Sequence, residues 1–263
     1  MNWRTKAFIQ NAISKLPSKL SYAAYYRMQR RFGGLREVNP TTRLQAGVEV
    51  VNRIEAQGLS VEGKTFFEVG TGRMVALPMA LSLCGAKEVI TVDLNPYLQH
   101  TLVSEQAQYM KGHCDEIRTL FGAHTAKPEF EDKLKAIFET GLSDVPELLE
   151  RLGIRYLAPA DATTLNLSTP VDYHVSFTVL EHVPPTSLKA IFVQGLKQLS
   201  DGGLFIHHID FADHFARTDS SITTVNFLQF TEKEWLRFAG NRYMYHNRLR
   251  VDEFREVIED SGL

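Results

Sequence analysis

The stretch Phe67-Glu68-Val69-Gly70-Thr71-Gly72-Arg73-Met74 decides how this chain is read. A short apolar run, Thr65 to Val69, enters a Gly-x-Gly turn, and an apolar helical stretch, Val75 to Leu83, leaves it. A strand that feeds a helix through such a turn lets its backbone come close to a ligand, because no side chain stands in the way. Pro78 falls in the first turn or so of that helix, where proline is tolerated. A glycine-rich turn with no ligand is the plain alternative. A nicotinamide dinucleotide fits poorly: it asks for a third glycine where this chain has Val75, and for glycine where it has Glu68.

Working outward, strand patterns recur at Glu88–Asp93, Arg155–Leu157, Val171–Phe177 and Gly203–Ile209, with a helix pattern at Ser187–Leu199 between the last two. This alternation predicts an α/β fold, a doubly wound and mainly parallel sheet with helices on both faces. Between the second and third strands, residues 96–153 are charged and helical in pattern, far more than a crossover needs. They are expected to form a helical insert, either a subdomain or a lid. Upstream, residues 3–31 read as helix interrupted at Pro17, and Thr42–Ala56 as a further helix. The expected division is a basic helical arm over residues 1–60 and an enzyme-like domain over 61–263.

The chain has 263 residues, 44% hydrophobic and 23% charged, with 16 Phe and 9 Tyr. This composition excludes collagenous and wholly disordered classes. No apolar run approaches the ~20 residues of a transmembrane helix, and Lys6 and Lys15 break up the stretch a secretory signal would need. Cys84 and Cys114 form no CxxC pair, so neither a disulfide scaffold nor structural zinc is expected, and a reducing cytoplasm fits. Residues 1–36 hold eight basic and no acidic residues, which leaves 21 basic against 31 acidic on the rest, a net −10. A basic arm on an acidic body suits an anionic surface or the body itself. The same negative body repels nucleic acid, which is not expected as a partner.

Taken in order, five segments resemble the class I S-adenosylmethionine (SAM)-dependent methyltransferases. Glu68-Val69-Gly70-Thr71-Gly72-Arg73 is similar to the acidic, glycine-rich first motif of that family, with Met74 in place of its usual third glycine. Asp93 ends the second strand, Pro159-Ala160-Asp161-Ala162 follows the third, Val171 to His182 ends in Leu-Glu-His, and Leu199-Ser200-Asp201-Gly202-Gly203 introduces the fifth. The resemblance implies a Rossmann-like methyltransferase sheet and SAM as cofactor. It assigns the cofactor to Glu68, Gly70, Thr71, Gly72, Arg73, Asp93, Leu94, Asp161, Ala162, Ser176 and Phe177. Asp93 would accept from the ribose hydroxyls and Asp161 from the adenine amine. The family fold also ends in an antiparallel hairpin after the helix at Val251–Glu259. Here the sequence ends at Leu263, so the hairpin is expected to be missing or supplied from elsewhere: either the chain is a truncated version of a longer protein, or the arm or a second subunit covers the sheet edge.

The run His207-His208-Ile209-Asp210-Phe211-Ala212-Asp213-His214 holds three histidines and two aspartates at a strand end. Strand alternation puts His208 and Asp210 on one face, and a His208 general base oriented by Asp210 is expected, with His182 as the next candidate. A solvated loop with one structural histidine is the alternative. Metal ligation is the third reading; no second ligand cluster accompanies it, and no metal is expected. Trp235 to Arg250 carries four arginines and no acid; it suits either anion recognition or a helix and loop lying on the body. The acceptor expected is a sugar or another small polar molecule, phosphorylated ones included, methylated on oxygen. A lipid-linked acceptor met through the basic arm with Trp3 and Phe8 is the second hypothesis. A non-catalytic SAM-binding part of a larger protein is the third, and an oligomer is compatible with each.

Overall fold

The computed structural model describes residues 1–263, and its helices alternate with strands much as the periodicity predicts. The strands are β1 (Thr65–Val69), β2 (Glu88–Val92), β3 (Ile154–Leu157), β4 (Val171–Phe177) and β5 (Leu199–His208). The helices are α1 (Trp3–Ser14), α2 (Ser18–Phe32), α3 (Thr41–Glu55), α4 (Ala76–Leu83), α5 (His100–Gly112), α6 (Cys114–Phe121), α7 (Phe130–Glu139), α8 (Val145–Arg151), α9 (Pro185–Gln198), α10 (Glu232–Ala239) and α11 (Val251–Glu259). All strand pairs are parallel and run in the order β3-β2-β1-β4-β5. No antiparallel hairpin is added to the sheet. No helix is long and apolar enough to cross a membrane.

The chain divides into two compact units, one made of Val38–Phe177 with Ala190–His208, the other of Met1–Glu37, Thr178–Lys189 and Ile209–Leu263. The boundary expected at residue 60 is therefore corrected. Helix α3 belongs with the sheet, because its Leu44, Val51 and Ile54 join the same apolar core as Phe66, Leu77 and Val89. Gly47 makes that packing close: a Cβ there would meet the Cβ of Ala80 on α4 at 2.5 Å.

β1 and β2 are buried along four of their five residues, as strands covered on both faces must be. The insert of residues 96–153 packs into the main core. Its Val103, Met110, Ile117, Phe121, Phe130 and Leu134 sit in the core that holds β1 and β2. At the sheet's amino edge Asp172 accepts from the Thr65 amide and the Lys64 ammonium, both at 2.9 Å, and from Ser200 at 3.4 Å. One carboxylate thus pins the starts of β1, β4 and β5.

The second unit is organised by aromatic packing. Trp3 of α1 is buried against Phe215, Phe230, Trp235 and Phe238, with ring centroids 4.9–6.3 Å apart. Its amide donates to Asp219 at 2.7 Å. Tyr25 of α2 stacks on Tyr243 at 3.9 Å. The arginines of the 235–250 segment are structural pins here. Arg248 donates to the carbonyls of Phe227 and Phe230 and to Glu232, and Arg250 donates to the carbonyl of Phe211.

Inside the sheet a polar chain crosses β4 and β5: Ser176 Oγ lies 2.8 Å from His207 Nδ1, and His207 Nε2 lies 3.3 Å from His174 Nδ1. Burial holds the imidazole of His207 down at about 3, and His174 is lowered by burial and by His207. Unfolded histidines take up protons near their ordinary pKa, while these folded ones do not. Their stabilising contribution is thus complete above pH ~6.5 and is lost as pH falls toward 3. We expect thermal melts of the wild type and His207→Phe to diverge below pH ~6.5, the wild type falling faster. Parallel curves from pH 7 to pH 4 would contradict this.

Candidate active site at the carboxyl edge of the sheet

β1 and β4 are neighbours at the centre of the sheet, where the strand order reverses, and open α/β sheets bind ligands outside the carboxyl ends at that point. The Gly-x-Gly turn leaves β1 there. Gly70 has φ +90° and Gly72 φ +70°, left-handed values that disfavour any side chain. The Gly70 and Thr71 amides donate to the Val92 carbonyl at 2.8 and 3.2 Å, which holds the turn to the end of β2. A Cβ built on Gly72 would meet nothing within 4 Å, so the turn faces open space.

Asp93 joins three segments at this edge. Its Oδ2 accepts from the Gly72 amide at 2.9 Å and its Oδ1 from the Asn95 amide at 3.0 Å. Its own carbonyl accepts from the Ala160 amide at 2.9 Å, which fastens the loop after β3 beside it. Burial raises the Asp93 pKa, and the two amides oppose the rise. Leu94, the next residue, is 64% exposed, an apolar side chain held in solvent. Asp161 spends Oδ1 on the amide and hydroxyl of Thr163, at 2.9 and 2.7 Å, while its Oδ2 makes no hydrogen bond. Ala162 beside it is buried. The guanidinium of Arg73 lies 5.3 Å from the Tyr97 ring.

Glu68 lies beneath the turn, fully enclosed. One of its oxygens accepts from Thr91 Oγ1, which lies 2.5 Å from Thr71 Oγ1. Burial pushes Glu68 up to about 7, against the Thr91 hydrogen bond and the nearby Arg43, with Asp93 adding to the rise. Two expected cofactor residues are placed differently from the rest. Ser176 is buried, with its hydroxyl on His207, and Phe177 is half-buried under the His208 ring at 4.8 Å, with the Arg43 guanidinium at 6.0 Å. Arg43 and Tyr97 were not legible as site residues. Tyr97 follows Asp93 by four positions, a weak cue, and nothing in the sequence near Arg43 marks it.

His208 is exposed at the carboxyl end of β5. In place of the partner expected for Asp210, its carboxylate meets Arg217, the Ala212 amide at 2.8 Å and Nε2 of His214 at 3.3 Å. In the same unit His182 directs Nδ1 at the Tyr245 carbonyl, 2.7 Å away. The rings of His182, His214 and His246 lie 4.9–5.7 Å apart. Beside them Glu181 is fully buried, and burial raises its carboxyl to about 7. The chain's two non-glycine residues with left-handed backbone, Thr178 and Arg248, flank these segments; such strain often accompanies function. A cavity of about 490 Å³ opens at the opposite, amino edge of the sheet, among Lys87, Lys127, Lys133 and Arg151. It lies away from the glycine turn, and the strand-end rule favours the carboxyl edge.

No protein-family model and no curated protein matches the sequence. Among solved structures, the chain is similar to a SAM-dependent methyltransferase from Clostridium acetobutylicum, with 13% identity, a TM-score of 0.41, and 76% of this chain and 61% of that one covered. It is also similar to magnesium protoporphyrin IX methyltransferase from Synechocystis PCC 6803 with bound S-adenosylhomocysteine, with 14% identity, a TM-score of 0.48, and 99% and 89% covered. The chain thus spans under two thirds of the first protein's length and most of the second's.

Two substitutions test the geometry. Asp93→Ala would orphan two backbone donors, so Asp93→Asn is the cleaner change. Under the cofactor reading that the sequence resemblance implies, it is expected to weaken binding of S-adenosylhomocysteine by about tenfold to a hundredfold in calorimetry, since hydrogen bonds to a charged group are worth ~1.5–3 kcal/mol. Glu68→Gln should act on stability. A carboxyl raised by burial stabilises the fold below its unfolded pKa, and this is lost as pH rises from 4.5 through about 7. The glutamine variant avoids the loss, and should be more stable than wild type at pH 8 by up to about 3 kcal/mol and equal to it near pH 4. Denaturant melts at the two pH values check this.

Proposed function

We propose that this chain is a SAM-dependent methyltransferase acting on an oxygen of a small polar acceptor, with sugars and phosphorylated molecules the favoured class. The observation that supports this best is the convergence on Asp93 of the glycine turn, the exposed Leu94 and the Asp161 loop. The residues fit the cofactor: the Asp93 oxygens retain lone pairs for ribose hydroxyls, Leu94 offers an apolar face to adenine, and Oδ2 of Asp161 is a ready acceptor for its amine. Gly70 and Gly72 leave room where side chains would intrude. When bound, SAM supplies a methyl carbon activated by its sulfonium.

The protein's part is to position the acceptor oxygen in line with the C–S bond that breaks, and to take the hydroxyl proton as the O–C bond forms. His208, exposed at the end of β5, is proposed for the proton, and His182 is the second candidate, since donation from Nδ1 to Tyr245 leaves Nε2 as an acceptor. Asp210 bonds Arg217 and lies beside His214, so the orienting role expected of it toward His208 is not part of this reading. With labelled SAM and a panel of sugar and phosphosugar acceptors, His208→Ala should lower turnover by roughly 10²–10⁴-fold and leave SAM affinity unchanged. Normal turnover by that variant would move the role to His182.

A second reading, a lipid-linked acceptor met at an anionic membrane surface, is favoured by the arm. Phe8, Leu20 and Phe32 are 73%, 62% and 76% exposed among the eight basic residues, whereas Trp3 is buried and takes no part. Co-sedimentation with anionic but not neutral vesicles, abolished by Phe8→Ser with Phe32→Ser, is the expected result.

A further inference from the structure

We propose that Glu181, His182 and His214 bind one divalent transition-metal ion. The three residues come from two segments of one unit: the short turn after β4 supplies Glu181 and His182, and the segment after β5 supplies His214. One ligand atom from each lies within 4.8 Å of the others. A tetrahedral ion at ~2.0–2.2 Å from each ligand needs them roughly 3.4 Å apart. Binding an ion would have to draw the three ligands together.

Two observations point to an ion rather than to a packed polar cluster. The first is Glu181: it is fully buried, and neither carboxylate oxygen has a donor in good hydrogen-bond geometry, although the amides of Glu181 and Asp210 lie close to it. A buried acceptor without a well-aligned donor is costly, and a cation on those oxygens removes the cost. The nearby Arg217 does not serve, because its guanidinium is bound to Asp210. The second is His182, whose Nδ1 donates to the Tyr245 carbonyl at 2.7 Å. That fixes the tautomer with a lone pair on Nε2, the arrangement metal-bound histidines generally adopt.

His246 lies beside them. Its Nδ1 accepts from the Arg248 amide at 3.1 Å, so its buried Nε2 carries the hydrogen. His246 is thus a donor beside the ligands and not a fourth ligand. The Asp210 carbonyl stands near it as an acceptor, so it needs no group on the ion. Two imidazoles and one carboxylate, with a further position open, is a donor set suited to zinc, cobalt or nickel more than to magnesium.

The inference rests on this unit's side chains alone and does not depend on His208; an ion on Nε2 of His182 would exclude that residue as the base of methyl transfer. The test is binding in the absence of cofactor and acceptor. Protein stripped with a chelator is titrated with Co²⁺ and with Zn²⁺, by visible absorption and calorimetry. One equivalent of Co²⁺ giving ligand-field bands is expected, displaced by Zn²⁺. Glu181→Gln and His214→Ala should each weaken binding by at least tenfold, while His113→Ala, on the insert, should not. No saturable binding by the wild type, or undiminished binding by both variants, would overturn the proposal. Should a variant fail to fold, X-ray absorption of the wild-type Co²⁺ complex decides: two imidazoles in the coordination sphere support the site, and none removes it.

Discussion

The carboxylate of Asp93 is the constraint on which the candidate active site depends. It accepts the Gly72 amide, which orients the glycine turn, and the Asn95 amide, which turns the chain away from β2. The backbone of the same residue bonds Leu157 and Ala160, so the end of β3 and its loop are held in register with it. Remove that hub and three loops lose their common reference. Such fixation settles the orientation of the carboxylate before any ligand arrives.

The site is built over polar groups that a purely structural core would avoid. Glu68, Thr91 and Thr71 form a buried hydrogen-bonded stack beneath the turn, and Ser176, His207 and His174 form another across β4 and β5. Each buried ionisable group is held toward its neutral form: the carboxyl of Glu68 upward, the imidazole of His207 downward. Burial is the main cause of both directions, since a low-dielectric interior disfavours whichever form is charged. The sheet thereby carries these histidines uncharged at neutrality, and Glu68 uncharged below it.

The other unit shows a different division of labour. Its arginines were candidates for anion recognition, yet Arg248 and Arg250 are used to satisfy backbone carbonyls, and Arg217 neutralises Asp210. Trp3 anchors the basic arm in an aromatic cluster, and the arm's charges and its exposed Phe8 and Phe32 remain outside. The histidines of three separate segments are left facing one another beside the buried Glu181.

The amino-acid sequence by itself determined the parallel α/β architecture, because apolar runs bounded by glycine and separated by helical periods are local signals. The strand at Val171–Phe177 and the helix at Val251–Glu259 were legible to the residue for that reason. Glu68, Gly70, Gly72 and Asp93 were legible too, since they sit at fixed offsets from a strand end. What only the tertiary structure decided was pairing at a distance. The insert reads as a charged appendage, yet its apolar side chains, thinly spread along four helices, close the main core. Asp210 is near His208 in sequence but bonds Arg217 and His214, because the chain leaves β5 and turns after it. His214 and His246 are 32 and 64 residues from His182, and no spacing rule relates them; only the folding of three segments against one another brings their rings to within 6 Å.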